Sequence, residues 1–122
     1  MIIVDTSVWI DHLRSTDANL VVALTEGRVL QHPFVTAELA LGKLAQRIEL
    51  ISMLNLLRQV DVVTNRELLE YVEHNDLAGT GIGMVDAHLL AAASIAGNAR
   101  IWTRDRRLRS QAGRLDLAHD TD

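Results

Sequence analysis

Four acidic residues in this 122-residue chain have the types and addresses needed for metal-assisted hydrolysis. Asp5 follows the β-branched run Ile2-Ile3-Val4, which reads as a buried strand reaching the surface at its carboxyl end. Asp105 follows a second such run, Ile101-Trp102-Thr103, and Asp86 opens the apolar stretch Val85 to Ala93. Glu38 interrupts Ala37-Glu38-Leu39-Ala40-Leu41 on a helix expected after another strand. Taken singly, Asp5, Asp86 and Asp105 could serve as helix caps or first-turn acids, worth about 0.5–2 kcal/mol each, and Glu38 could face water. Taken together, acids gathered at the strand ends of one sheet would repel unless a cation sat among them. A hard cation such as Mg²⁺, with Mn²⁺ as a substitute, takes oxygen ligands, polarises a phosphoryl oxygen and lowers the pKa of a bound water.

The elements that must position these acids follow from the pattern of apolar runs. Strands are expected at 2–4, 29–31, 61–63 and 101–103, with a short edge strand at 115–117. Helices are expected from Thr6 and Ser7 as caps, near Asn19 to Glu26 with Gly27 as its stop, and from Pro33 toward Gln46. Others are expected over Glu49 to Leu57, from Asn65 as cap to Glu73, along the buried stretch beginning at Val85, and after Asp105. Alternating β and α segments give an α/β fold, a short central parallel sheet with helices on both faces. In such sheets the strand carboxyl ends line the ligand crevice. No linker or repeat interrupts the chain, so it reads as one domain spanning 1–122.

Composition narrows the chemistry further. The absence of Cys removes a disulfide framework, a thiolate zinc site and a Cys nucleophile. Hydrophobic residues make up 48% but aromatics only 3%, so the interior must be aliphatic. The start lacks a basic signal region and no apolar run is long enough for a membrane span, which points to a cytoplasmic protein. The net charge of −4 argues against a polyanionic partner, yet Arg100, Arg104, Arg106, Arg107, Arg109 and Arg114 cluster near the end and can form a local positive surface.

Other motifs read as structural. The five histidines lack the i, i+4 pairing of a helical zinc site. His88 should point away from Asp86 as a satisfied structural histidine, and Trp9 and Trp102 should pack in the core. Gly79 to Gly83 lacks the Lys-Ser/Thr ending of a phosphate cradle and reads as a mobile loop leading into Asp86. A phosphoaspartyl hydrolase or receiver domain fails because no second Asp lies two residues after Asp5, and Lys43, the only Lys, is far from a last-strand position. A non-catalytic module, with an acidic pocket for a basic or amphipathic partner segment, is the rival from another class.

Four blocks in order resemble one family: Ile3 to Asp11, His32 to Gly42, Gly81 to Ala93 and Ile101 to Leu108. They are similar to the PIN-domain ribonucleases, specifically the VapC-type toxins of toxin–antitoxin pairs. The resemblance spans almost the whole chain and implies a PIN-like three-layer sandwich. It implies a Mg²⁺-dependent endoribonuclease with Asp5, Glu38, Asp86 and Asp105 at the acidic positions. Asp5, Asp86 and Asp105 would hold the metal, and Glu38 would position or deprotonate the attacking water. Thr6, Ser7 and Thr103 match polar positions supporting the acids, and Arg104, Arg106 and Arg107 are candidate RNA contacts. The resemblance further implies a homodimer and neutralisation by a small antitoxin lying over the active site.

Overall fold

A computed structural model describes residues 1–120 of the chain. Its sheet has four parallel strands in the order β3-β2-β1-β4. These are β1 (Ile2–Val4), β2 (Val29–Gln31), β3 (Arg58–Gln59) and β4 (Arg100–Trp102). In register, Ile3 faces Leu30 on one side and Ile101 on the other. The chain builds outward from β1 through β2 to β3, then returns to lay β4 against the opposite side of β1. The topological switch point therefore falls between β1 and β4, where ligands of open parallel sheets bind at the carboxyl ends.

Seven helices flank this sheet among the described residues: α1 (Thr6–Arg14), α2 (Ala18–Thr25), α3 (Pro33–Ala40), α4 (Arg47–Leu56), α5 (Asn65–His74), α6 (Met84–Ala96) and α7 (Arg106–Arg114). Each strand is followed by a helix, so the anticipated α/β sandwich is the fold observed. Ile3, Trp9, Leu20, Leu54, Leu90 and Trp102 are among its fully buried side chains. Each such side chain contributes about 1.5–3 kcal/mol by leaving water. Both tryptophans belong to this core, as their apolar neighbours indicated. Helix α6 is buried continuously from Ala87 to Ala93, which explains its lack of a polar face. A smaller cluster of Val63, Leu68, Ala87 and Ala91 joins α5 to α6.

Local boundaries depart from expectation where burial is low. The third strand is Arg58–Gln59 rather than 61–63, because an exposed edge strand has no need of apolar side chains. Val60 extends the pairing by donating its N–H to the Gln31 carbonyl, while Val63 packs in the α5–α6 cluster. Helix α3 ends at Ala40, well short of Gln46, which adopts a left-handed conformation just before α4. The cap of α5 is Thr64, in a reciprocal capping box with Glu67, rather than Asn65. The anticipated strand at 115–117 reduces to an isolated parallel bridge between Ile101 and Ala118.

Candidate active site

Asp5 occupies the position before α1, yet its side chain makes no capping hydrogen bond. It is 6% exposed, and its Oδ2 accepts protons from Thr103 Oγ1 at 2.7 Å and Ser7 Oγ at 2.8 Å. The direction of these bonds is fixed from behind. Arg104 N–H donates to Ser7 Oγ at 3.1 Å and Asp105 N–H to Thr103 Oγ1 at 3.0 Å, leaving each hydroxyl proton free for Asp5. The Asp5 N–H is itself held by the Trp102 carbonyl at 2.9 Å. The ends of β1 and β4 thus form one hydrogen-bonded unit across the switch point. Thr6 and Ser7, anticipated as caps as well as supports, turn their hydroxyls to acids and not to the helix terminus.

The other acids combine local roles with placement around this unit. Glu38 is exposed on α3, but its Oε1 accepts a proton from Thr6 Oγ1 at 2.6 Å, which ties α3 to the start of α1. Asp105 does cap α7, its Oδ1 accepting from Leu108 N–H at 2.9 Å. Asp86 lies in the first turn of α6 and has a backbone hydrogen bond at Gly83. Burial raises the Asp86 carboxyl to about 6, with the charges of Asp5, Asp105 and Glu38 adding to the rise against that hydrogen bond. The four acids therefore share an electrostatic environment, though they do not share a capping explanation.

No three carboxylate or imidazole groups among the described residues form a closed metal cage. All the oxygen donors are carboxylates, and Asp86 carries the repulsion of three neighbouring acids, which a divalent cation would relieve. The residues present therefore fit a hard cation.

The three candidate RNA contacts are placed differently from one another. Arg104 bridges Asp11 Oδ2 at 2.8 Å and Asp17 Oδ2 at 2.7 Å, with its guanidinium 6.0 Å from the Trp102 ring centre. It joins the β4–α7 turn to α1 and to the cap of α2, a long-range contact without a local sequence signal. Arg106 and Arg107 are exposed. His88 is buried as anticipated, packing its ring on Phe34 and His32, but its Nδ1 has no hydrogen-bond partner. The expected satisfaction of that histidine is not met. Buried His32 is likewise incomplete: its Nδ1 accepts from Phe34 N–H at 3.0 Å, while Nε2 lacks a partner. Burial, with His88 adding, lowers the His32 imidazole to about 4, so it is neutral at pH 7. These rings dock the Glu38 helix on the Asp86 helix, a link that no spacing rule reveals.

The model of the PIN domain matches residues 2–114. This chain belongs to the PIN-domain family. Among curated proteins it is similar to Ribonuclease VapC32 from two strains of Mycobacterium tuberculosis, CDC 1551 / Oshkosh and ATCC 25618 / H37Rv. Each is 47% identical over 118 residues, covering 97% of this chain and 95% of the relative. The PIN chain is thus matched through all four acids, from before Asp5 to beyond Asp105.

Proposed function

We propose that this PIN chain is a Mg²⁺-dependent endoribonuclease acting as the toxin of a toxin–antitoxin pair. The observation carrying this reading is the electrostatic convergence on Asp86 of Asp5, Asp105 and Glu38, of which Asp5 and Asp105 lie just beyond the carboxyl ends of the adjacent strands β1 and β4. Its relatives' name, Ribonuclease VapC32, supports RNA as the substrate.

Asp5, Asp86 and Asp105 would hold the cation. Bound there, Mg²⁺ supplies Lewis-acid stabilisation of charge on the phosphoryl group. Ser7 and Thr103 orient Asp5, and Thr6 orients Glu38. Glu38 positions or deprotonates the attacking water. The new P–O bond forms from that water as the bond to the ribose 3′ oxygen breaks, and the departing oxygen takes a proton. The products are a 3′-hydroxyl and a 5′-phosphate.

Carried with this reading are one domain over 1–122, a homodimer, a small cognate antitoxin and a cytoplasmic location. No helix among the described residues is long and apolar enough to cross a membrane. RNA cleavage should disappear in EDTA and return with Mg²⁺ or Mn²⁺, and Asp5→Asn and Asp86→Asn should each abolish it. Binding of a partner segment without RNA turnover in either metal would replace this reading with the non-catalytic module. Coexpression with the neighbouring gene, followed by mapping of RNA ends in cells, tests toxicity and neutralisation together.

A further inference from the structure

Beside the acids, between the loop 79–83 and α7, runs a groove of about 290 Å³ lined by Thr80, Arg106, Arg107, Ser110 and Gln111. Its lining follows from helical geometry. Residues 106 and 110, and likewise 107 and 111, stand one turn apart on a common face of α7. Thr80 contributes the opposing loop wall.

Arg107 fixes the relation of the two walls. Its side chain lies so close over Gly81 that a Cβ there would meet Arg107 Cδ at 3.1 Å and Nε at 3.2 Å. Arg107 Nη1 also donates to the Gly81 carbonyl at 3.4 Å. Gly81 has φ +85, which further favours a residue without a side chain. The loop leads into Asp86 and the helix begins at its Asp105 cap, so each wall of the groove continues into one of the four acids.

Among the described residues, the charges in the groove are not paired with acids. Arg28, Arg66, Arg100 and Arg104 each pair with a carboxylate, whereas neither Arg106 nor Arg107 does so among the described residues. Guanidinium forks match phosphate oxygens, and the hydroxyl and amide side chains around them offer further donors. The groove contains no carboxylate among its lining residues.

Resting on the ribonuclease reading, we infer that this groove is a second phosphate subsite. It holds a backbone phosphodiester of single-stranded RNA adjacent to the one being cut. A good substrate then carries at least one phosphate beyond the scissile bond. The acids act on one phosphate while the groove sets the register of the strand.

The test uses the full chain carrying Asp86→Asn, so that RNA binding is measured without cleavage. Affinity for a labelled 12-nucleotide single-stranded RNA is followed by anisotropy from 50 to 200 mM salt with Mg²⁺ present. Adding Arg106→Gln should reduce the magnitude of the slope of log affinity against log salt by about 0.7, the value for one single-strand phosphate contact. Adding Ser110→Glu should weaken binding severalfold by placing negative charge in the groove. Both positions are exposed, and Arg107 is avoided because it packs on Gly81. Wild type should also cut an RNA with a flanking phosphate at least tenfold faster than the corresponding dinucleotide.

Unchanged slope with Arg106→Gln and unchanged affinity with Ser110→Glu would overturn the subsite while leaving ribonuclease activity standing. Equal rates on the two substrates would overturn it as well. If wild type cuts no RNA and the Asp86→Asn chain binds none, the ribonuclease reading fails and the subsite with it.

Discussion

At the ends of β1 and β4 the buried Asp5 carboxylate takes two hydroxyl protons on one oxygen, whereas at the start of α6 Asp86 faces three other acids with a backbone hydrogen bond. In the first region that oxygen is satisfied by the protein alone. The second holds its carboxyl near pKa 6, where burial and the neighbouring acids disfavour its charged form. The contrast separates orientation from charge: the strand ends fix where a carboxylate oxygen lies, and the α6 entry gathers repulsion that a cation would relieve. An acid cluster built only on the first pattern would be too comfortable without metal. One built only on the second would lack a fixed geometry.

The largest expected effect is that of Asp86→Asn. Loss of an outer supporting partner alone typically lowers metal affinity or activity about 10–100-fold, so removing this acid should reduce RNA cleavage by at least about a hundredfold. Urea denaturation in EDTA should show the variant to be no less stable than the parent, because repulsion is relieved. Strong unfolding of the variant would instead assign Asp86 a structural duty. Thr103→Val attacks the other region, removing a hydroxyl from Asp5 and the acceptor of the Asp105 N–H. It should cost about 1–3 kcal/mol in urea titrations and lower activity about 10–100-fold.

The pH dependence sharpens the same contrast. Asp86 is raised from 3.8 to about 6 in the folded protein, so without divalent cation its contribution to stability is present below about pH 3.8 and lost as pH rises through 6. The melting temperature of wild type, relative to Asp86→Asn in EDTA, should therefore increase as pH falls from 7 toward 4. With Mg²⁺ the sign of the metal effect is opposite: stabilisation by the cation should weaken as pH drops through 6, because the proton competes for the ligand. A metal-induced shift independent of pH would break the assignment of Asp86 as the titrating ligand.

The smallest effect distinguishes two uses of one carboxylate. Asp105→Asn preserves the cap on Leu108 N–H and should leave thermal stability nearly unchanged while lowering cleavage. Asp105→Ala should lose about 1 kcal/mol as well, since the cap is gone. Identical melting curves for the two variants would show that the cap contributes little.

The sequence reveals the buried parts of this arrangement better than its exposed edge. Ile2-Ile3-Val4 and the run at Ile101 mark β1 and β4 because central strands covered on both faces need continuous apolar residues. Arg58–Gln59 escapes that logic, since an edge strand is fixed by its pairing to β2 rather than by its side chains. The acids are visible as residue types at strand and helix ends, but whether each caps a helix depends on rotamers. Asp5 declines that role and Asp105 adopts it. The Arg104 bridge to Asp11 and Asp17 and the facing of His32 and His88 arise from tertiary packing, for which no periodicity exists.

The bond from Thr103 to Asp5 spans 98 positions of sequence. Because β1 lies between β2 and β4, the strand that carries Asp5 is completed only by the strand that follows all the others in sequence. During synthesis, which proceeds from the amino terminus, Asp5 emerges early but waits for Ser7's partner turn and the Thr103 hydroxyl. A nascent chain, or one ended by premature termination before β4, carries Asp5, Glu38 and even Asp86 without this clasp. The clasp on Asp5 is thereby assembled only after β4 has been made and has docked against β1.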